Sequence, residues 1–372
     1  MPNTAISPLT QLIDVGQSYW LDDLSREMLN SGALERRVKE AGLRGVTSNP
    51  KTFADSVQSG DLYDRDIRRL REAGHSDPAI YEHLMVDDVR RGCDVLRPVY
   101  DATAGQDGFV SIEVDPRLAR DTDHTLKAAR HLWQTVDRPN VMIKIPGTPE
   151  GLPAIETALE EGININITLL FSLGRYKQVT AAYLRAMDRR RTEGKPLGSV
   201  ASVASFFLSR IDVLVDELLN HRDSPASHQS LPAKLQGRTA LMAARQVYHA
   251  FEETFSGPQW EALAKEGARP QRPLWASTGT KNPNLPDTVY VDNLIARQTV
   301  NTMPEKTIEA FADHGTLKAD AIRHLDGDPD EHFRQLQRVG IDPDYVALRL
   351  EDEGIQKFIE PFREGMASIS EV

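Results

Sequence analysis

Cysteine is almost missing from this chain: Cys93 is the only one in 372 residues, so no disulfide can close within it. Cys93 shares a helical apolar stripe with Met85, Val89, Leu96 and Tyr100, which makes it a core residue rather than a nucleophile. Long apolar runs are missing too. No stretch reaches the ~18 uninterrupted apolar residues of a membrane span, and residues 1–12 lack the basic region and apolar run of a signal peptide. A cytoplasmic protein with no membrane partner is expected. Basic charge is in deficit, with 44 Lys and Arg against 55 Asp and Glu and a net charge of −11. A nucleic-acid surface needs a concentrated basic stripe, so no nucleic-acid partner is expected and any anionic ligand must be held by a few local cations. The ten histidines show neither the H-x-x-x-H nor the H-E-x-x-H spacing of helical zinc sites, and no catalytic metal is expected. A P-loop fails as well, because with Lys281 as its lysine G-x-x-x-x-G-K would need glycines where Trp275 and Thr280 stand.

What is present is an alternation of short strands and helices. Strand-like segments fall at 18–22, 45–47, 109–114, 141–145, 163–168, 200–204, 273–277 and 299–303. Helical patterns lie between most of them: one opening at Asp77-Pro78 with Asp77 as cap, one capped by Asp123, and others at 176–187, 207–219 and 238–255. Eight such alternations predict a (β/α)8 barrel, an α/β fold, as one domain over 1–372 with helical insertions at about 51–108 and 219–272. Within the second insertion, 222–234 reads as a polar, mobile loop. The segment 345–366 reads as a closing amphipathic helix whose mixed charges face solvent.

The strands carry an unusual face. Ser111 and Glu113 alternate with Val110, Ile112 and Val114; Met142 and Lys144 alternate with Val141, Ile143 and Ile145; Asn164, Asn166 and Thr168 alternate with Ile163, Ile165 and Ile167. Helical spacers make these strands parallel neighbours covered outside by helices, so the polar face looks into the barrel. Reacting groups of such barrels sit at the carboxyl ends of the strands, which nominates Asp22, Thr47 with Asn49, Glu113, Lys144, Asn166 with Thr168, Ser205 and Ser277. A lysine on an inner face is costly to keep charged, and a neutral amine condenses with a ketone to a Schiff base whose iminium permits carbon–carbon cleavage. Carboxylates must then move protons, and Glu113 and Asp22 are candidates. Read from the pattern alone, Lys144 and Glu113 could equally form a structural ion pair, and Asp22 an ordinary helix cap. Asn164, near the start of its strand, reads as packing or water-binding.

Six strings in chain order add a resemblance: Leu21-Asp22, Gly45-Val46-Thr47-Ser48-Asn49-Pro50, Ser111-Ile112-Glu113-Val114-Asp115, Ile143-Lys144-Ile145-Pro146, the run from Gly162 through Asn166 and Thr168 to Ser172, and Ser205-Phe206-Phe207-Leu208-Ser209-Arg210. Together, over roughly 15–315, they resemble the transaldolase family, in the larger bacterial form. The resemblance implies a Schiff-base mechanism of non-oxidative pentose phosphate metabolism. Lys144 would attack a ketose phosphate, sedoheptulose 7-phosphate or fructose 6-phosphate, and pass a dihydroxyacetone unit to glyceraldehyde 3-phosphate or erythrose 4-phosphate. It further implies Asp22 as acid–base group for the C3–C4 bond and Glu113 with Thr168 acting through a water. Asn49 and Asn166 would hold hydroxyls, and Ser205, Arg210 and Ser277 the phosphate end. Where compact members carry Ser-Phe-Arg after the seventh strand, this chain reads Ser277-Thr278-Gly279, and Lys281 becomes the candidate cation. The lysine itself would serve as electron sink, so no cofactor is expected, and the protein would be a monomer or homodimer. Two other readings are a fructose 6-phosphate aldolase, where a glutamine stands in place of Glu113 and a tyrosine in place of Phe207, and a silent sugar-phosphate-binding barrel.

Overall fold

The structure, a computed structural model, describes residues 7–58, 60–222 and 231–372. Eight strands close a parallel barrel in chain order: β1 (Gln17–Leu21), β2 (Gly45–Thr47), β3 (Phe109–Glu113), β4 (Val141–Pro146), β5 (Ile165–Leu170), β6 (Ser202–Phe207), β7 (Arg272–Ala276) and β8 (Thr299–Met303), with β8 pairing back to β1. This is the expected (β/α)8 architecture. The branched aliphatics Ile112, Ile143, Ile145, Ile165 and Ile167 are fully buried. Burial of these residues against the surrounding helices is what commits each strand to its register, because a one-residue slip would exchange the two faces.

Two strands begin two residues later than their sequence pattern suggests. Ile163 still belongs to the exit of the preceding helix, its N–H bonding to Ala158 carbonyl at 3.0 Å, and Asn164 uses its side chain to tie strand starts together. The Asn164 amide donates to the Pro139 and Val141 carbonyls at 2.9 and 3.1 Å and accepts from the Ala201 N–H at 2.9 Å. That is the packing role expected for it. Val200 likewise closes a turn onto Leu197 before β6 begins. β5 is also irregular: its register with β6 shifts between Ile167 and Leu170, and Leu169 takes a φ of 60°.

Two helix starts differ from the sequence reading. The helix Asp77–Ala102 is capped by Ser76, with Asp77 already its first residue, and Asp121 rather than Asp123 caps Thr122–Val136, accepting from the His124 N–H. Only Asp121 caps through its side chain, Ser76 holding the cap position by backbone alone, and in both cases the next acid lies in the first turn, where the helix dipole favours it. The polar stretch read as a loop at 222–234 falls largely outside the described residues; the helix Leu231–Leu235 begins within it.

Between β2 and β3 stand three helices, Pro50–Gln58, Asp64–Glu72 and Asp77–Ala102. Phe53, Tyr63, Ile67 and Tyr81 form a small apolar cluster there with Ile369 of the last helix, Pro343–Glu371. This contact anchors the last helix across the carboxyl-end mouth of the barrel. Gly354 lets it come close: a Cβ there would stand 3.0 Å from Leu169 and 3.5 Å from the Arg210 guanidinium. Among the described residues no helix is long and apolar enough to cross a membrane.

Candidate active site

Register places the polar residues side by side. Lys144 on β4 is flanked by Glu113 on β3 and Asn166 on β5, all three at the same level of adjacent parallel strands. Beneath them the ring of Trp20 fills the barrel, in the space that bare Gly45 leaves, where a Cβ would approach the ring to 2.5 Å. The cavity that reaches Lys144 is lined by residues at the carboxyl ends of the strands.

The Lys144 ammonium lies 2.6 Å from Glu113 Oε1, with both side chains under a tenth exposed, and donates to the Ser48 carbonyl at 3.3 Å. Burial raises the Glu113 carboxyl above the usual carboxylate range, opposed chiefly by Lys144. Glu113 Oε2 and Thr168 Oγ1 are buried without a protein partner. Asn166 is held from both sides: its amide donates to Ser111 Oγ at 2.9 Å and its carbonyl accepts from Ser205 Oγ at 2.6 Å.

Asp22 does not cap a helix. Ser25 caps the next one, Arg26–Asn30, and Asp22 Oδ1 accepts from Thr47 Oγ1 at 2.8 Å, with Thr47 Oγ1 also 2.9 Å from Thr302 Oγ1. Burial raises the Asp22 carboxyl, and Lys144, the Thr47 hydrogen bond and Arg210 pull it back. A carboxyl that burial raises, facing an amine across a small cavity, is the pairing that general acid–base chemistry needs.

That cavity has a volume of about 210 Å³ and is lined by Asp22, Asn49, Lys144, Ser205, Arg210, Ser277 and Lys281 among others. With Thr47, eight of the eleven residues nominated from sequence thus meet in one space. Glu113, Asn166 and Thr168 do not line it; Glu113 reaches it through Lys144 and Asn166 through Ser205. Asn49 caps locally, accepting from the Lys51 N–H at 3.0 Å. At the outer end, Arg210 Nε and Nη1 are buried without partners, and burial weighs against the guanidinium charge, countered by Asp22, Glu353 and Glu113. Lys281 is exposed at the rim; partial desolvation by its loop, then Arg210 and Lys357, hold its ammonium below the ordinary lysine range. Arg210 and Lys281, cations that repel one another and lack a carboxylate partner among the described residues, are suited to a dianion. Ser277 adopts a φ of 56° and its hydroxyl lies 2.8 Å from that of Ser209, a local strain of the kind that collects at binding sites.

Sequence reasoning missed two members. Thr302 shares the inner face of β8 and could have been found from alternation alone. Phe358 comes from the last helix, whose apolar stripe carries no mark that separates a site residue from core; its ring centroid is 5.5 Å from Lys144 Nζ and 6.0 Å from the Arg210 guanidinium. The helix read as solvated surface on its charged face therefore roofs the site with its other face.

A closed parallel barrel with a buried lysine–carboxylate pair at the strand carboxyl ends, and unpaired cations at the rim, defines a lysine-dependent aldol-type enzyme acting on an anionic substrate. Residues 19–369 match the transaldolase/fructose-6-phosphate aldolase family, and the chain belongs to it. It is similar to proteins named transaldolase from Thermobifida fusca, 50% identical over 359 residues covering 96% of each chain, and from Frankia alni, 46% identical over 365 residues covering 98% of this chain and 97% of the relative. A third, from Saccharopolyspora erythraea, is 45% identical over 368 residues, 99% of this chain and 98% of the relative.

Proposed function

We propose that this protein is a transaldolase, transferring a three-carbon dihydroxyacetone unit from a ketose phosphate to an aldose phosphate, in the cytoplasm. The observation that carries the reading is the buried Lys144–Glu113 pair opening onto a cavity that also holds Asp22 and Arg210. Lys144 gives its proton to Glu113 and attacks the C2 carbonyl. The carbinolamine then loses water, with Glu113 as proton source, and the two unpartnered oxygens of Glu113 and Thr168 suit them to hold a water for that relay. The protonated iminium withdraws electrons as the C3–C4 bond breaks. Asp22, held up by burial, accepts the C4 hydroxyl proton as the aldose leaves, and returns it when the enamine carbon attacks the acceptor aldehyde. Asn166, oriented by Ser111 and Ser205, and Asn49 bind the hydroxyls of the retained unit. Arg210, with Ser277 and Lys281, binds the phosphate; the Ser205 hydroxyl, whose hydrogen goes to Asn166 Oδ1, positions that amide instead. The reading of transfer over cleavage is supported by an acid at Glu113 and a phenyl ring at Phe207, positions where aldolases carry glutamine and tyrosine.

Product analysis tests this. Fructose 6-phosphate with erythrose 4-phosphate is expected to give sedoheptulose 7-phosphate and glyceraldehyde 3-phosphate, while fructose 6-phosphate alone releases at most one equivalent of glyceraldehyde 3-phosphate. Sustained release of free dihydroxyacetone without acceptor would make the protein an aldolase, and no turnover of either kind would leave a binding barrel.

A further inference from the structure

Arg210 stands at the outer end of the reaction cavity without a polar tether. Its Nε and Nη1 are buried with no hydrogen-bond partner, and among the described residues it pairs with no carboxylate. Arg26 shows the alternative within the same molecule: its guanidinium commits its donors to Asp66, Asp87 and Asp88 at 2.7, 3.3 and 2.7 Å. Held in that way a guanidinium is fixed but has little left for a ligand. An arginine with free donors keeps that capacity, yet a long side chain that nothing holds loses rotamer freedom when a ligand arrives, and binding weakens accordingly.

The contacts that do surround Arg210 take none of its N–H groups. Its guanidinium carbon lies 5.5 Å from the Phe207 ring centroid and 6.0 Å from that of Phe358, both within reach of a cation–π contact. One turn before Phe358, Gly354 brings the last helix so close that a Cβ there would stand 3.5 Å from Arg210 Nη1. Phe358 is buried and lines the reaction cavity. Its helix is seated elsewhere: Phe362, one turn on, packs against Tyr81 at 4.8 Å between ring centroids, and Ile369 joins the cluster of helices between β2 and β3. The place of the Phe358 ring is therefore set by contacts that do not involve Arg210, as a wall that orients another side chain requires.

We infer that Phe358 is a positioning residue of the phosphate end: with Phe207 it holds the Arg210 guanidinium through ring contacts alone, leaves its donors free, and so sets how strongly the enzyme prefers a phosphorylated ketose to the free sugar. The inference rests on the reading of Arg210 as the phosphate-binding cation. Phe358 also lies 5.5 Å from Lys144 Nζ, but an effect there bears on both donors alike, since each presents the same C2 carbonyl to the amine.

The test is the ratio of kcat/KM for fructose 6-phosphate to that for fructose, each with erythrose 4-phosphate as acceptor. It is measured in the parent protein, Phe358→Leu, Phe358→Tyr, Arg210→Gln and the double variant Arg210→Gln with Phe358→Leu, the fructose reaction showing in each that the fold is intact. The ratio should fall by roughly tenfold or more in Phe358→Leu, which keeps apolar bulk without a ring, and stay within about threefold of the parent in Phe358→Tyr. In the double variant it should fall no further than in Arg210→Gln alone, because the ring acts through the arginine. An unchanged ratio in Phe358→Leu, the same fall in Phe358→Tyr, losses that multiply in the double variant, or a Phe358→Leu protein inactive toward both sugars would each overturn the inference while leaving Arg210 its role. A ratio that Arg210→Gln does not change would instead overturn the phosphate role of Arg210, and the inference with it.

Discussion

Replacing Lys144 with methionine removes one half of a buried ion pair, and the cost follows from the geometry of the other half. The ammonium and Glu113 Oε1 are 2.6 Å apart with side chains 6% and 7% exposed, so Glu113 would be left as an uncompensated carboxylate, a loss of about 3–5 kcal/mol for pairs of this kind. The loss should depend on pH. Burial already raises Glu113 and Lys144 is the chief influence opposing that rise, so the variant raises it further. A carboxyl whose folded pKa exceeds its unfolded value contributes stability that is fully present below the unfolded value, ~4.3, and is lost as pH rises through the folded value. Lys144→Met should therefore be most destabilised near pH 8 and approach the parent protein near pH 5. The double variant Lys144→Met with Glu113→Gln removes both charges; it should recover most of the stability at pH 8 with a much flatter profile. Urea unfolding of the three proteins between pH 5 and 8.5 reads this directly. A deficit in Lys144→Met that does not change with pH, or a double variant as unstable as the single one, would refute the reasoning.

Asp22→Asn should lower transfer turnover by roughly 10²–10⁴-fold while leaving formation of a borohydride-trappable adduct intact, which stopped-flow transfer assays and mass analysis separate. Arg210→Gln should raise the KM for phosphorylated ketose by about 10–100-fold, the worth of a buried charge-assisted hydrogen bond, whereas exposed Lys281→Ala should raise it by only about fivefold, both with smaller changes in turnover. His332 is buried, with Nε2 2.9 Å from Thr239 Oγ1, and burial then Arg238 push it down to about 4. A depressed histidine contributes stability above its unfolded value, ~6.5, lost as pH falls through the folded one, so unfolding experiments should show about 3 kcal/mol lost between pH 6.5 and 4 that His332→Gln does not lose.

Alternation carried most of the barrel, because burying an aliphatic face against helices and a polar face inward leaves a two-residue period that no other arrangement of these spacers explains. Lys144, Glu113 and Asn166 were legible for that reason: three neighbouring strands each put a polar group at one level. Strand starts were less legible. Ile163 and Val200 look like strand by residue type, yet their backbone N–H groups are taken by the preceding helix and turn. The register shift in β5 and the left-handed Leu169 left no local trace either, since nothing in Ile167-Thr168-Leu169-Leu170 marks a residue that favours positive φ. Phe358 was invisible for a further reason. Its position over Lys144 depends on how a helix more than two hundred residues away in sequence packs on the helices between β2 and β3, a contact made through Tyr81, Phe362 and Ile369.

The central claim is that the Lys144 amine attacks a ketose from inside the barrel. Incubation with fructose 6-phosphate and borohydride, followed by peptide mass analysis, tests it most directly. A single reduced three- or six-carbon sugar adduct on the peptide containing Lys144, absent from Lys144→Met, is the predicted result; an adduct on another lysine, or none in a protein that still exchanges sugars, would contradict it.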